Sequence, residues 1–143
     1  MIDITSSASY AQPAATVFAI LADPSSYPAW QADVQSAALA GDGPARAGTR
    51  IREVRKVMGR RADVELTISE MVPGERITLA TADGAKPAVR QAWHLQPDGA
   101  GCRLDFQLTL DGVPKMAEHL ARAQLSRQVP QMLERLGTVA AGR

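Results

Sequence analysis

Closely spaced turns along the middle of the chain constrain this sequence more than any other feature. Gly41-Asp42-Gly43-Pro44 with Gly48, then Gly59-Arg60, Pro73-Gly74, Asp83-Gly84 and Asp98-Gly99, combine residues that accept or enforce a reversal of the backbone. The runs between them alternate apolar and polar residues with a period of two, the pattern of half-buried strands. Parallel crossovers need about a dozen residues or more, so consecutive strands here must pair antiparallel. Six strands from Val34 onward therefore form a meander. A seventh, over Ile2 to Tyr10, completes a curved sheet.

Helical periodicity flanks the strands. Ala14, Val17, Phe18 and Leu21 share one face of a short helix. Pro13 suits its first turn, and Asp23-Pro24 ends it, because the residue before proline is pushed out of the helical region. The segment to Trp30 forms a second short helix or turn. After Asp111-Gly112, Pro114 opens a long helix running to about Val139. Met116 and Leu120 supply an apolar face in its first half; Leu125, Val129, Met132, Leu133, Leu136 and Ala140 supply one in the second. Pro130 removes one hydrogen bond at the Ser126 carbonyl and predicts a kink. The predicted class is α+β, with seven antiparallel strands around a long C-terminal helix.

Bulk properties narrow the function. The 143 residues are expected to form one domain, 1–143, long enough to bury its own core. Sixteen basic residues stand against fifteen acidic, a net charge of +1, which steers neither nucleic acid nor anionic membrane. No apolar run approaches the roughly 20 residues of a membrane span. Asp3, Thr5 and Ser6 interrupt any apolar core of a secretory signal, so a cytoplasmic location is expected. Cys102 is the single cysteine, which excludes an internal disulfide and a cysteine-based zinc site. The sequence has no phosphate-binding loop, no Gly-x-Ser-x-Gly elbow and no histidines at metal spacing. Neither a metal nor a cofactor is expected.

Pairing the strands converts alternation into a map of faces. A two-residue turn at Gly59-Arg60 pairs Met58 with Arg61, Arg55 with Val64, Glu53 with Leu66 and Ile51 with Ile68. Lys56 then faces Asp63 on the outer side. The last hairpin pairs Leu95 with Leu104, Trp93 with Phe106 and Gln91 with Leu108, all pointing inward. Ile77, Leu79 and Thr81 continue that surface, and His94 falls outside, opposite Asp105. The inner face is thus aliphatic and aromatic, with Glu53, Arg55, Thr81 and Gln91 as polar exceptions. A few oriented polar groups in an apolar concavity suit a small-molecule site. Glu53 and Arg55 can equally be a structural ion pair, and Trp30 and Trp93 can stack on a planar ligand or fill the core.

The whole chain resembles the START-like (SRPBCC, polyketide-cyclase/dehydrase-type) superfamily. Val17-Phe18, Asp23-Pro24, Trp30, Gly48-Thr49, Gly59-Arg60, Pro73 and the end Leu133-Glu134-Arg135-Leu136 carry the likeness. The resemblance implies a helix-grip fold with a cavity between sheet and helix, and a hydrophobic small-molecule ligand such as a lipid or polyketide. Expected ligand-binding residues are Trp30, Ile51, Glu53, Arg55, Leu66, Leu79, Thr81, Gln91, Trp93, Phe106, Met116 and Leu120. The favoured reading is binding, with Arg55 pairing a ligand carboxylate or enolate oxygen. A polyketide cyclase/dehydratase-like enzyme is the alternative, with Glu53 as base, Arg55 as oxyanion stabiliser and His119 as acid or base. A ligand-free partner-binding module is a third possibility.

Overall fold

The computed structural model describes residues 1–57 and 59–143. It contains β1 (Ile2–Tyr10), α1 (Ala14–Leu21), a 3-10 turn (Pro24–Ser26) and α2 (Tyr27–Trp30). The meander follows: β2 (Val34–Leu39), β3 (Arg50–Val57), β4 (Arg60–Val72), β5 (Arg76–Ala80), β6 (Ala88–Asp98) and β7 (Gly101–Asp111). Helix α3 (Lys115–Ala141) closes the chain. The seven strands form one antiparallel sheet in the order β1-β7-β6-β5-β4-β3-β2. Only β1 pairs out of sequence, because the last strand returns beside the first. This is the α+β helix-grip arrangement the sequence predicts.

Local chemistry explains the short elements. Pro13 caps α1 in extended conformation, and Val17, Phe18, Ile20 and Leu21 are buried. Asp23 then accepts a hydrogen bond from the Ser25 N–H at 3.1 Å, starting the 3-10 turn. The Ser26 hydroxyl donates to the carbonyls of Ile20 and Asp23, and Trp30 Nε1 donates to Ser26 Oγ at 3.2 Å. Tyr27 donates its hydroxyl to the Leu21 carbonyl at 2.8 Å. Burial, and then the negative charge of Glu53, push its pKa well above the ordinary phenol value. Tyr27 is therefore a fixed neutral strut.

The β3–β4 hairpin differs from the expected register. Val57 pairs with Arg60, Arg55 with Ala62, Glu53 with Val64 and Ile51 with Leu66; Lys56 faces Arg61, and Asp63 faces Val54. The reversal lies one residue earlier than Gly59-Arg60, which moves every pair by two positions. Met58, expected opposite Arg61, lies outside the described residues. A two-residue shift preserves the faces, so Ile51, Glu53, Leu66 and Ile68 are still buried inside. The β6–β7 hairpin has the expected pairs, including Trp93 with Phe106, Gln91 with Leu108 and His94 with Asp105. A bulge at Ser69, between the Ile68 and Glu70 pairs, bends β4 and helps the sheet curl.

The core fills only one end of the concavity. Trp30 packs edge-on against Trp93 with ring centroids 5.5 Å apart, and Trp93 lies 4.1 Å from Phe106. Val129, Leu133, Leu136 and Ala140 of α3 are buried. Side chains of this size stabilise by roughly 1.5–3 kcal/mol each when fully buried. The N-terminal half of α3 buries nothing comparable, since Met116 is 99% and Leu120 54% exposed. The helix runs unbroken across Pro130, which is exposed. It packs chiefly on β1, α2 and α1.

Two contacts secure β1. The Tyr10 hydroxyl donates to the Leu133 carbonyl at 2.7 Å, and burial pushes that phenol above its ordinary pKa. At the same strand end Tyr10 pairs with Cys102, whose side chain is fully buried. A Cβ added at Gly101 would collide with the Tyr10 carbonyl oxygen, a backbone atom that cannot swing aside. Gly101→Ala is expected to cost on the order of 1–3 kcal/mol in urea unfolding. Unchanged stability would show that this junction is looser than its geometry.

Candidate ligand-binding site

The unfilled end of the concavity is a cavity of about 860 Å³ between the sheet and the first half of α3. That volume lies within the range of small-molecule sites. Val64, Leu66, Val89, Leu108 and Leu110 line its sheet side. The β5–β6 connection closes a flank through Ala82, Ala85 and Pro87. Overhead, α3 presents Ala117, Leu120, Ala121, Gln124, Leu125 and Gln128. Small side chains at 117 and 121 keep the roof high, which is why the space is not packed. Half-exposed Val57 and Leu120 mark where it meets solvent.

Strand pairing sets the depth. Thr81, just past β5, exchanges hydrogen bonds with Val89 through its backbone N–H and its hydroxyl. One pair further in, Leu79 faces Gln91 and Gln91 faces Leu108. Beyond that row the aromatic core begins. Gln91 therefore sits on the cavity floor, 8% exposed, between open space and packed interior.

A polar cluster occupies the β3 side. Arg55 donates from Nε to Glu53 Oε1 at 2.8 Å, from one terminal nitrogen to Asp33 Oδ2 at 2.8 Å, and from the other to Gln31 Oε1 at 2.9 Å. Glu53 has no side-chain exposure and Arg55 15%. Burial alone would lower the Arg55 pKa. The charges of Glu53 and Asp33, with their hydrogen bonds, outweigh it and hold the guanidinium above its ordinary value. Arg55 thus ties β3 to the segment linking α2 and β2. Glu53 Oε2 is sealed from solvent and has no hydrogen-bond partner.

The expected site residues divide into three groups. Glu53, Arg55, Leu66, Thr81, Gln91 and Leu120 are brought together around the cavity. Trp30, Ile51, Leu79, Trp93 and Phe106 are at most 3% exposed and form the packed core beneath it. Met116 and His119 are directed away, the former almost fully exposed and the latter exposed. At about 100° per residue, Met116 lies about a quarter turn off the middle of the face formed by Ala117, Ala121 and Gln124, and His119 lies nearly opposite it. The expected acid-base role of His119 thus has no geometry behind it. Arg55 is also already matched by two carboxylates, against its expected role as an anchor for a ligand anion.

Sequence reasoning missed the alanine roof and the 82–87 flank. Size misleads at Met116, which is large and apolar but exposed, whereas Leu120 does line the cavity. Among the described residues no group of three or more metal-ligating side chains is found, and no helix is long and apolar enough to cross a membrane.

Removing Arg55 leaves the Glu53 carboxyl buried without a partner. Arg55→Met is expected to cost about 3–5 kcal/mol. Adding Glu53→Leu should recover part of that loss in urea titrations, and a double variant less stable than Arg55→Met would refute the pairing.

Comparison with known proteins agrees with this architecture. A START superfamily protein from Mycobacterium smegmatis superposes with a TM-score of 0.81 at 12% identity, covering 98% of this chain and 97% of that one. A protein from Thermus thermophilus gives 0.82 at 18% identity, with 98% and 97% covered. The di-domain ARO/CYC BexL from the BE-7585A biosynthetic pathway gives 0.74 at 15% identity, covering 96% of this chain and 46% of that one. These identities speak for the fold alone. No curated protein matches the sequence. Residues 1–141 match the family described as polyketide cyclase / dehydrase and lipid transport, and the chain belongs to that family.

Proposed function

We propose that this protein binds a hydrophobic small molecule in the cavity between the sheet and α3. The observation that carries the reading is the 860 Å³ space itself, walled largely by aliphatic side chains and roofed by alanines, leucines and two glutamines of α3. Water held against such walls is readily displaced, and an apolar ligand gains by leaving solvent. The family's description, which includes lipid transport, supports the same reading.

Native and denaturing mass spectra of freshly purified protein test it directly. An extra mass released on denaturation is the expected result. A second test uses N-phenyl-1-naphthylamine, whose fluorescence rises in apolar surroundings. Ala121→Phe should fill the roof and weaken its binding by about tenfold or more, equivalent to about 1.4 kcal/mol. Unchanged affinity in that variant, with no released cargo, would sink the proposal.

Catalysis of cyclisation or dehydration is a second reading, favoured by one feature, the unpartnered Oε2 of Glu53 beside the cavity. That oxygen is sealed in the structure, so this reading requires the wall around Glu53 to open before a bound molecule can give it a proton. Glu53→Gln should then retain released cargo while its chemical conversion stops. Conversion at the wild-type rate would remove Glu53 from any such mechanism.

A further inference from the structure

We infer that Gln91 selects, within this cavity, a neutral hydrophobe carrying a hydroxyl or carbonyl oxygen. The inference rests on the ligand-binding reading above and adds the ligand's chemistry. Gln91 points inward from β6 onto the cavity floor and is more than nine-tenths buried. Its strand neighbours are Leu79 and Leu108, and Trp93 lies two residues on. The leucines cannot pair with a carboxamide, and among the described residues no hydrogen bond joins the Trp93 indole N–H to Gln91. Glu53 Oε2 is the only sealed, unpartnered polar side-chain atom among the described residues, so the Gln91 amide faces the cavity rather than being enclosed.

A primary carboxamide offers one acceptor oxygen and two N–H donors. It can receive a hydroxyl proton or donate to a carbonyl, and a hydroxyl allows both. A plain hydrocarbon chain would cover the amide and leave it unsatisfied, which penalises that ligand. An anion is disfavoured for a different reason. The nearest buried cation, Arg55, is already bonded to Glu53 and Asp33, so no free positive charge waits inside. Lys56 and Lys86 also line the cavity but are exposed, at its rim. The floor therefore reads neutral oxygen.

The test compares 1-naphthol with 1-methylnaphthalene, which differ by a hydroxyl in place of a methyl group. Displacement of N-phenyl-1-naphthylamine should show wild-type protein preferring naphthol by roughly five- to tenfold, the usual worth of one hydrogen bond. Gln91→Leu should abolish the preference. The same variant should keep wild-type stability, because an amide that faces the cavity makes no hydrogen bond within the fold. Loss of stability would mean that Gln91 is structural and would overturn the inference. Equal wild-type affinities for both probes would overturn it while leaving the ligand-binding reading intact. If neither probe nor the fluorophore bound, both readings would fall.

Discussion

The burial of α3 at one end governs the rest of the molecule. Val129, Leu133, Leu136 and Ala140 bury themselves against β1, α1 and α2, and the Tyr10 hydroxyl clasps the Leu133 carbonyl. Because those contacts hold the helix, its first half can cross the sheet without burying large side chains of its own. The cavity is the direct result. It needs no separate scaffold, only a helix long enough to overhang its own docking site.

The Arg55 cluster plays a complementary part at the opposite edge of the sheet. Edge strand β2 pairs only with β3, and the segment before it would otherwise be tethered weakly. One guanidinium joins Glu53 of β3 to Gln31 and Asp33, which follow α2. Counted together, two carboxylates and one guanidinium carry a net charge of −1. The buried cluster therefore has no spare positive charge to offer an anion. Buried ion pairs of this type are costly to break and bring modest net stability. Their value here lies in fixing one arrangement of the wall.

The sequence was legible where periodicity and turn chemistry act locally. All seven strands, both short helical pieces and the long helix follow from alternation, proline and glycine. The β3–β4 register did not, since Gly59 is compatible with a reversal at either of two positions. The error was harmless because side chains repeat every second residue. Site residues on strands, such as Glu53, Leu66 and Gln91, were accessible for the same reason. On α3 only Leu120 was. Hydrophobic size marks a helix face only when that face is packed, and the first half of α3 faces a void lined by Ala117 and Ala121. Depth was equally hidden, as nothing in the alternation of β6 tells Gln91 at the floor from Trp93 in the core.

That alanine roof separates two properties usually entangled in small proteins. Substitutions at Trp93, Phe106 or Leu133 alter the packing that keeps the chain folded. Substitutions at Ala117, or at Ala121 on the edge of the core, act chiefly on the height of the cavity, on a helix whose buried contacts lie elsewhere. Ala117 and Ala121 are thus positions at which single changes act on the volume of the cavity. The same overhang that leaves the cavity open leaves its dimensions free to vary.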